Sequence, residues 1–190
     1  MTQQRIIVGI SGASGVALGY ATLAALAANP EIQTHLVVSE GARRTWELEE
    51  SRPYSALLEC ADVVHDNRDL AASISSGSFQ TMGMIVAPCS MKTLAGIVNG
   101  YSENLLLRAA DVVLKENRRL VLMPREMPYG ALHLDNMARA ARYGATIVAP
   151  LLTFYNMPDT IEQQIDHIVG KALMQFGLPH AAFRAWKEDE

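Results

Sequence analysis

The sequence has little of what marks secreted, membrane-spanning or nucleic-acid-binding proteins. It has only two cysteines, Cys60 and Cys89, which are too few for a disulfide framework, and no Cys/His cluster has the spacing of a zinc site. Its formal net charge of −4 lacks the basic excess that nucleic-acid binding requires. No apolar run approaches the roughly 20 residues of a membrane helix, and no signal-peptide pattern opens the chain. We therefore expect a cytoplasmic protein that binds neither nucleic acid nor membrane, with residues 1–190 forming a single domain.

Short apolar runs alternate with longer helical patterns along the chain, in which 49% of residues are hydrophobic and 19% are charged. Runs rich in Val and Ile predict parallel strands buried on both faces; they cover residues 5–10, 34–39, 84–88, 119–124 and 146–150. Helical patterns cover residues 16–28, 41–50, 91–98, 103–117, 132–143 and 160–176. This alternation predicts an α/β fold with a doubly wound, mostly parallel sheet, whose ligand lies beyond the carboxyl ends of the strands.

The stretch from residue 51 to 80 is the least regular part of the sequence. It includes the small-residue run SISSGS at residues 73–78, and the chain shows neither an internal repeat nor a low-complexity segment. Two interpretations stay open: a loop that covers the site, or a surface connection between elements.

The first predicted strand leads into a glycine-rich loop, in which Gly9, Gly12 and Gly15 follow a GxxGxxG spacing. Glycines let the backbone approach an anion, and the next helix directs its N-terminal amides toward it, so the loop suits a phosphate or a flavin edge. It lacks the Gly-Lys-Ser/Thr of a Walker A loop and the GxGxxG spacing of dinucleotide sites. Glu40 keeps an NAD site open as an alternative, because an acid at this distance can bind a ribose. A tight turn without a ligand fits the loop equally well.

Polar residues also follow the next three predicted strands. Ser39 comes after the second strand, and Ser90 and Thr93 come after the third, where hydroxyls at a helix start can bind an anion. After the fourth strand, Arg125 and Glu126 stand between two prolines. An arginine suits bidentate contact with a phosphate, and a glutamate beside a ligand can transfer protons.

Arg108, Asp111 and Lys115 share one face of the predicted helix at residues 103–117, because they are three and four positions apart. Spacing alone favours a solvated ladder of ion pairs. The alternative is a cationic wall for a second phosphate, with Asp111 holding the two cations in place.

Six motifs, spread in order over nearly the whole chain, resemble those of the UbiX/Pad flavin prenyltransferases. They are GISGASG (residues 9–15), SGS (76–78), PCSMKTLAGI (88–97), RAADVVLKE (108–116), LVLMPREMP (120–128) and FYNMP (154–158). The branch associated with phenolic acid decarboxylases is the most similar, through CSMKTLAGI and PREMP. The resemblance implies a Rossmann-like or flavodoxin-like three-layer sandwich in a large homo-oligomer, commonly a dodecamer. It also implies transfer of a prenyl group from dimethylallyl monophosphate to N5 of reduced FMN and ring closure at C6, which supplies prenylated FMN to a partner UbiD-type decarboxylase.

The resemblance also assigns roles to individual residues. Those expected to contact FMN are Gly12, Ala13, Ser14, Ser39, Ser90, Met91, Lys92, Thr93 and Arg125. Those expected to contact the prenyl phosphate are Arg108, Lys115, Tyr155 and Lys171. For Arg108 and Lys115 the resemblance thus favours the cationic wall over the solvated ladder that spacing alone favours. Catalytic roles are expected for Ser14, Glu49, Glu126 and Lys115.

The sequence contains no DDxxD motif of the kind that holds magnesium on a prenyl diphosphate. We therefore expect protein cations, without a metal, to stabilise the departing monophosphate. Glu126 is the expected acid/base group in ring closure, assisted by Glu49 and Ser14, and the departing phosphate is a rival base. Trp186 is a candidate for shielding an allylic cation, and residues 184–190 are expected to fold over the site or to pack on a neighbouring subunit.

Three other classes of protein stay open as alternatives. An FMN-dependent cysteine decarboxylase of the related flavoprotein group is disfavoured, because PCSMKT replaces the PASANT-type segment of those proteins. A non-enzymatic flavin carrier is disfavoured by the cations in excess of what FMN needs. An NAD-linked oxidoreductase is disfavoured by the glycine spacing.

Overall fold

Six parallel strands form the sheet. The structure, a computed structural model, describes residues 3–186. The strands are β1 (Gln4–Ile10), β2 (Ile32–Val38), β3 (Val63–His65), β4 (Gly83–Cys89), β5 (Arg119–Pro124) and β6 (Ala145–Ile147). Every neighbouring pair in the order β3-β2-β1-β4-β5-β6 is parallel. This Rossmann order, which reverses between β1 and β4, confirms the predicted doubly wound α/β fold.

Helices cover both faces of the sheet. They are α1 (Ala17–Ala27), α2 (Glu40–Glu49), α3 (Tyr54–Leu58), α4 (Met91–Val98), α5 (Leu105–Lys115), α6 (Ala131–Arg142) and α7 (Ile161–Leu173). One layer packs Leu23, Trp46 and Val169 into a core on one face, and the other packs Leu94 and Ala140 into a core on the opposite face. Alternate strand residues face the two cores, so the buried parts of β1, β4 and β5 are apolar, which is the pattern that predicted these strands. Within residues 3–186 no helix is long and apolar enough to cross a membrane. The expectation that residues 1–190 form a single domain stays a prediction.

The stretch from residue 51 to 80 is a surface connection that runs alongside α5. It contains α3, the edge strand β3 and a 3-10 helix at Ser73–Ser75. The carbonyl oxygen of Asn67 accepts a hydrogen bond from the first backbone N–H of α5. Arg108 then donates to the Ser75 carbonyl oxygen at 3.2 Å, and Arg118, beyond the end of α5, donates to the Gly77 carbonyl oxygen at 2.6 Å. Within one chain the stretch is thus a surface connection, and whether it also covers a site stays open.

Candidate active site

Four loops lie side by side at the carboxyl edge of the sheet. The strands β2, β1, β4 and β5 are neighbours in that order, and the segments after them carry Ser39, Gly12, Ser90 and Arg125. Because adjacent strands are about 4.8 Å apart, these four positions lie within about 15 Å across the sheet. The backbone N–H of Arg125 also donates to the Cys89 carbonyl oxygen at 3.1 Å. The structure thus brings together all four segments that were predicted to contact FMN.

Two of these segments begin helices with a capping serine. Ser39 Oγ accepts from the Ala42 N–H at 3.1 Å at the start of α2, and Ser90 Oγ accepts from the Thr93 N–H at 3.2 Å at the start of α4. The Ser90 hydroxyl also donates to Thr93 Oγ1 at 3.1 Å, and Met91 beside it is half-buried. The caps fix the first turns, whose positive dipole ends face the carboxyl edge. A phosphate-bearing ligand such as FMN fits this arrangement of donors.

The glycine-rich loop packs against both ends of α2. A Cβ atom on Gly12 would lie 2.9 Å from the carbonyl carbon of Gly41, so only glycine allows this approach. Gly15 has a φ of 93°, and its N–H donates to Oε2 of Glu49 at 2.8 Å. Ser14 is half-buried between these two contacts. Glu49 therefore holds the loop from the far end of α2, which puts two of the predicted catalytic residues next to each other.

Ser11 joins the loop after β1 to the loop after β4, and sequence reasoning missed it. Its side chain is fully buried; the hydroxyl donates to the Pro88 carbonyl oxygen at 3.0 Å and accepts from the Ser90 N–H at 2.7 Å. Its own carbonyl oxygen accepts from the Ala13 N–H at 2.8 Å. One hydroxyl thus fixes the glycine-rich loop relative to the start of α4. The signal in the sequence was only a serine inside the GISGASG motif.

The charged residues predicted at the FMN loops are exposed at the carboxyl edge. Lys92 has its ammonium group 3.4 Å from the Glu103 carboxylate, and Arg125 is exposed beyond the end of β5. The carboxylate of Glu126 accepts from the backbone N–H of Met127 at 3.0 Å. These side chains are accessible to a ligand, as charged groups that bind and release a substrate must be.

Tyr155 and Lys171, two of the four predicted prenyl-phosphate contacts, line one cavity of about 170 Å³. Val148 and Ala149, which follow β6, line the same cavity, so it opens at the carboxyl edge of the sheet. The loop that carries Tyr155 is fixed on α7, because Gln164 Nε2 donates to the Thr153 carbonyl oxygen at 2.6 Å. The cavity thus combines a phenol and an ammonium group, both hydrogen-bond donors, and it shares no lining residue with the FMN loops.

The C-terminal segment packs over this cavity. The Phe183 ring stacks on His167 with centroids 4.8 Å apart, and the Lys171 ammonium lies 5.9 Å from the Phe183 centroid. The Trp186 ring meets Tyr155 edge-to-face at 5.3 Å. Of the predicted tail, Trp186 thus contacts a residue of the cavity within this chain, whereas residues 187–190 lie outside the described residues. The role of Trp186 in shielding a cation stays a prediction.

Arg108 and Lys115 do not reach this cavity within one chain. Arg108 pairs with Asp111 at 2.6 Å, as predicted, but Lys115 pairs with Glu116 instead. Lys115 ends α5, only four residues before β5 begins, and therefore lies at the amino edge of the sheet. A strand of six residues spans about 20 Å, so Lys115 and the cavity of Tyr155 are far apart in the direction of the strands. Arg108 lies nearer the start of α5, but α5 packs on the face of the sheet opposite α7, which carries Lys171.

This fold and this site define a class of α/β proteins that hold a nucleotide at the carboxyl edge of a Rossmann sheet, and the profile of the Flavoprotein family matches residues 1–176. A probable UbiX-like flavin prenyltransferase of Sedimentibacter hydroxybenzoicus is 62% identical over 183 residues, 96% of this chain and 97% of that protein. The chain therefore belongs to the flavoprotein family, among its UbiX-like flavin prenyltransferases.

Two crystal structures extend this comparison. The dodecameric FMN-dependent UbiX-like decarboxylase from Escherichia coli O157:H7 has a TM-score of 0.95 and 51% identity, over 97% of this chain and 100% of that one. AnUbiX (PadA1), in complex with FMN and dimethylallyl pyrophosphate, has a TM-score of 0.95 and 45% identity, over 99% of this chain and 100% of that one. The predicted flavin prenyltransferase family and its three-layer fold are thus confirmed.

Two of the alternative classes, the cysteine decarboxylase and the NAD-linked oxidoreductase, gain no support. The FMN-dependent cysteine decarboxylase TvaF has a TM-score of 0.61 at 16% identity, which shows a shared fold and no more. Glu40, the acid on which an NAD site would depend, lies on the surface of α2 with the Arg44 guanidinium 3.4 Å away. Neither observation favours cysteine decarboxylation or NAD binding.

Proposed function

We propose that this protein joins the dimethylallyl group of dimethylallyl monophosphate to reduced FMN and releases phosphate. The observation that carries the proposal is the presence of two separate anion sites at one edge of the sheet. The first consists of the capped starts of α2 and α4 with the glycine-rich loop, and the second is the cavity of Tyr155 and Lys171. Two anionic substrates are what a prenyl transfer between phosphorylated molecules requires. The complex of AnUbiX with both FMN and dimethylallyl pyrophosphate supports this arrangement.

The side chains of the cavity serve the departing phosphate. Lys171 supplies a positive charge and Tyr155 a hydroxyl donor, which stabilise the negative charge that grows as the allylic carbon–oxygen bond breaks. Reduced FMN supplies N5 and then C6 as the atoms that accept the prenyl carbons. Glu126, exposed beyond β5, is the proposed proton acceptor in ring closure. Glu49, which holds the glycine-rich loop through the Gly15 N–H, and Ser14 are proposed to assist at the flavin.

We further propose that the complete site forms between subunits of a homo-oligomer. Arg108 and Lys115 are the remaining predicted phosphate contacts, yet in one chain they belong to a helix that ends at the amino edge of the sheet. We infer that a second copy brings its α5 to the cavity of the first. The dodecameric E. coli relative supports assembly of this kind, and a dodecamer is the state we propose here.

The recipient of the product is proposed to be a UbiD-type decarboxylase, so the protein itself would not decarboxylate an aromatic acid. Both cysteines, Cys60 and Cys89, are free thiols, which agrees with the proposed location in the reducing cytoplasm. Adding the reaction product to an apo-decarboxylase, and finding decarboxylation restored, would support this partnership.

The deciding experiment is anaerobic incubation with reduced FMN and dimethylallyl monophosphate in EDTA, followed by mass spectrometry of the released flavin. A flavin heavier by one cyclised C5 prenyl unit is the expected product. Parallel reactions with the diphosphate donor and with added magnesium test whether the monophosphate suffices without a metal. Unchanged FMN from a protein shown to bind it would exclude the proposal and favour a flavin-dependent decarboxylase or a flavin carrier. A Glu126→Gln variant that formed cyclised product at the normal rate would remove Glu126 from proton transfer.

A further inference from the structure

His167 lies behind Tyr155 in the cavity and has no role in the function proposed above. Its side chain is only 4% exposed, and Nε2 lies 3.1 Å from the Tyr155 hydroxyl oxygen. Its other ring nitrogen, Nδ1, is buried and has no hydrogen-bond partner among residues 3–186. Phe183 covers the ring face at 4.8 Å, and the two ring planes are 20° apart. The imidazole thus has one polar contact, and that contact is the phenol.

These contacts select one form of the imidazole. Burial, and next to it the charge of Lys171, lowers the pKa of His167, so the ring is neutral and carries one proton. A proton on Nδ1 would leave a buried N–H without an acceptor, which is rarer and more costly than a buried acceptor without a donor. The proton therefore belongs on Nε2, which donates it to the oxygen of Tyr155.

This tautomer determines where the phenol proton points. The Tyr155 oxygen already accepts from His167, so its own O–H is free to donate elsewhere. Two other polar side chains line the cavity: Lys171, which has no lone pair to accept that proton, and Thr153. The Thr153 hydroxyl is directed to Oδ1 of Asn156 at 3.0 Å and to Oε1 of Gln164 at 3.3 Å. An anion bound beside Lys171 is the acceptor for the O–H of Tyr155.

We propose that His167 is a positioning residue, which makes Tyr155 a permanent hydrogen-bond donor to the phosphate of the prenyl substrate. The inference rests on the proposed function, because it names how one phosphate contact of that site is oriented. It extends the site to a histidine that acts through Tyr155.

The experiment compares four variants of the full-length, FMN-saturated protein. His167→Phe keeps the ring stacked on Phe183 but removes the donor, and His167→Gln keeps an amide donor near the position of Nε2. Tyr155→Phe and the double variant complete a mutant cycle. Thermal melts and FMN affinities, expected to match the wild type, show that each variant folds and binds flavin.

We expect His167→Phe to raise the KM for dimethylallyl monophosphate about three- to tenfold, the effect of losing one oriented hydrogen bond. His167→Gln should restore KM to within about twofold of the wild type, and His167→Phe should have no further effect when Tyr155 is already Phe. The inhibition constant of inorganic phosphate should rise by the same factor as KM. An unchanged KM in His167→Phe, or an equal rise in the Tyr155→Phe background, would overturn the inference.

Failure of the proposed function has a different signature. In that case the wild type forms no prenylated flavin at all. Calorimetric titration with inorganic phosphate then tests the inference without turnover, since His167→Phe should still bind phosphate more weakly than His167→Gln. Equal phosphate binding by the two variants would refute the positioning role on its own.

Discussion

Replacing Ser11 with alanine should weaken both folding and FMN binding, because a single hydroxyl connects two of the ligand loops. In Ser11→Ala the Pro88 carbonyl oxygen keeps a bond from the Ser11 backbone N–H at 3.2 Å, but the Ser90 N–H loses its acceptor at 2.7 Å. An unsatisfied backbone donor in this half-buried position costs about 1–2 kcal/mol of the free energy of unfolding. For a chain of this size, the melting temperature should fall by about 2–8 °C.

The same loss should appear in the affinity for FMN. If the cost of about 1–2 kcal/mol falls on the conformation of the loops that bind the flavin, the Kd rises about five- to thirtyfold. Thermal melts and fluorescence titration with FMN measure the two effects on the same sample. Both are expected, because Ser11 is buried between the loops and contacts no solvent.

Thr22→Val is the matched control for this prediction. Thr22 is also fully buried, but its hydroxyl donates only to the Leu18 carbonyl oxygen at 2.7 Å within α1. Its removal leaves no donor without an acceptor, and valine keeps the volume, so stability should change by less than about 1 kcal/mol and FMN affinity not at all. If Ser11→Ala behaves like Thr22→Val in both assays, the hydroxyl does not connect the loops and the reasoning is refuted.

Three further predictions follow from the same structure. Glu49→Ala should slow prenyl transfer about tenfold by releasing the Gly15 N–H. Glu49→Gln, whose amide oxygen can still accept, should stay near the wild-type rate. Equal rates of the two variants would refute the role of this contact. Lys115→Met and Lys171→Met should each be nearly inactive, but mixed oligomers of the two should regain activity, which a site within one chain would not allow. His35 has its pKa lowered to about 4, first by burial, so its contribution to stability is complete above pH 6.5 and is lost as the pH falls from 6.5 towards 4. Between pH 7.5 and pH 5, His35 should contribute up to about 2 kcal/mol to the loss of stability in urea melts of the wild type, and the loss should be smaller in His35→Gln; an equal loss would contradict the assignment.

The central strands could be predicted from the sequence because they are buried on both faces. Residues of β4, for example, are buried without exception, and the sequence there is a continuous apolar run. The edge strand β3 could not be predicted, since its three residues are only partly buried and include His65. Its pairing with β2 depends on Asp62, whose Oδ2 accepts from the N–H and the hydroxyl of Thr34 at 2.7 and 2.9 Å. The local sequence has no pattern that predicts a contact between residues 28 positions apart.

The sequence predicted which segments form the candidate site, but not the buried contacts that hold these segments together. Loops after parallel strands meet at one edge in any doubly wound sheet, so their polar residues could be grouped before the structure was known. Ser11 and His167 could not be found in this way. The importance of Ser11 comes from a partner 79 positions away, and the burial of His167 comes from Phe183, which follows α7 in a segment without regular structure.

Charge balance gives an independent reason to expect a site shared between subunits. An alkyl monophosphate carries a charge of about −1.5 to −2 at neutral pH, and the cavity supplies one formal positive charge, that of Lys171. In a single chain the cations of α5 are occupied, since Arg108 pairs with Asp111 and Lys115 with Glu116. These pairs are partly exposed, so each contributes little to stability and can be exchanged for a phosphate at small cost. Assembly would therefore supply the missing charge from side chains whose own partners are easily replaced, and activity should be lost when the oligomer is dissociated.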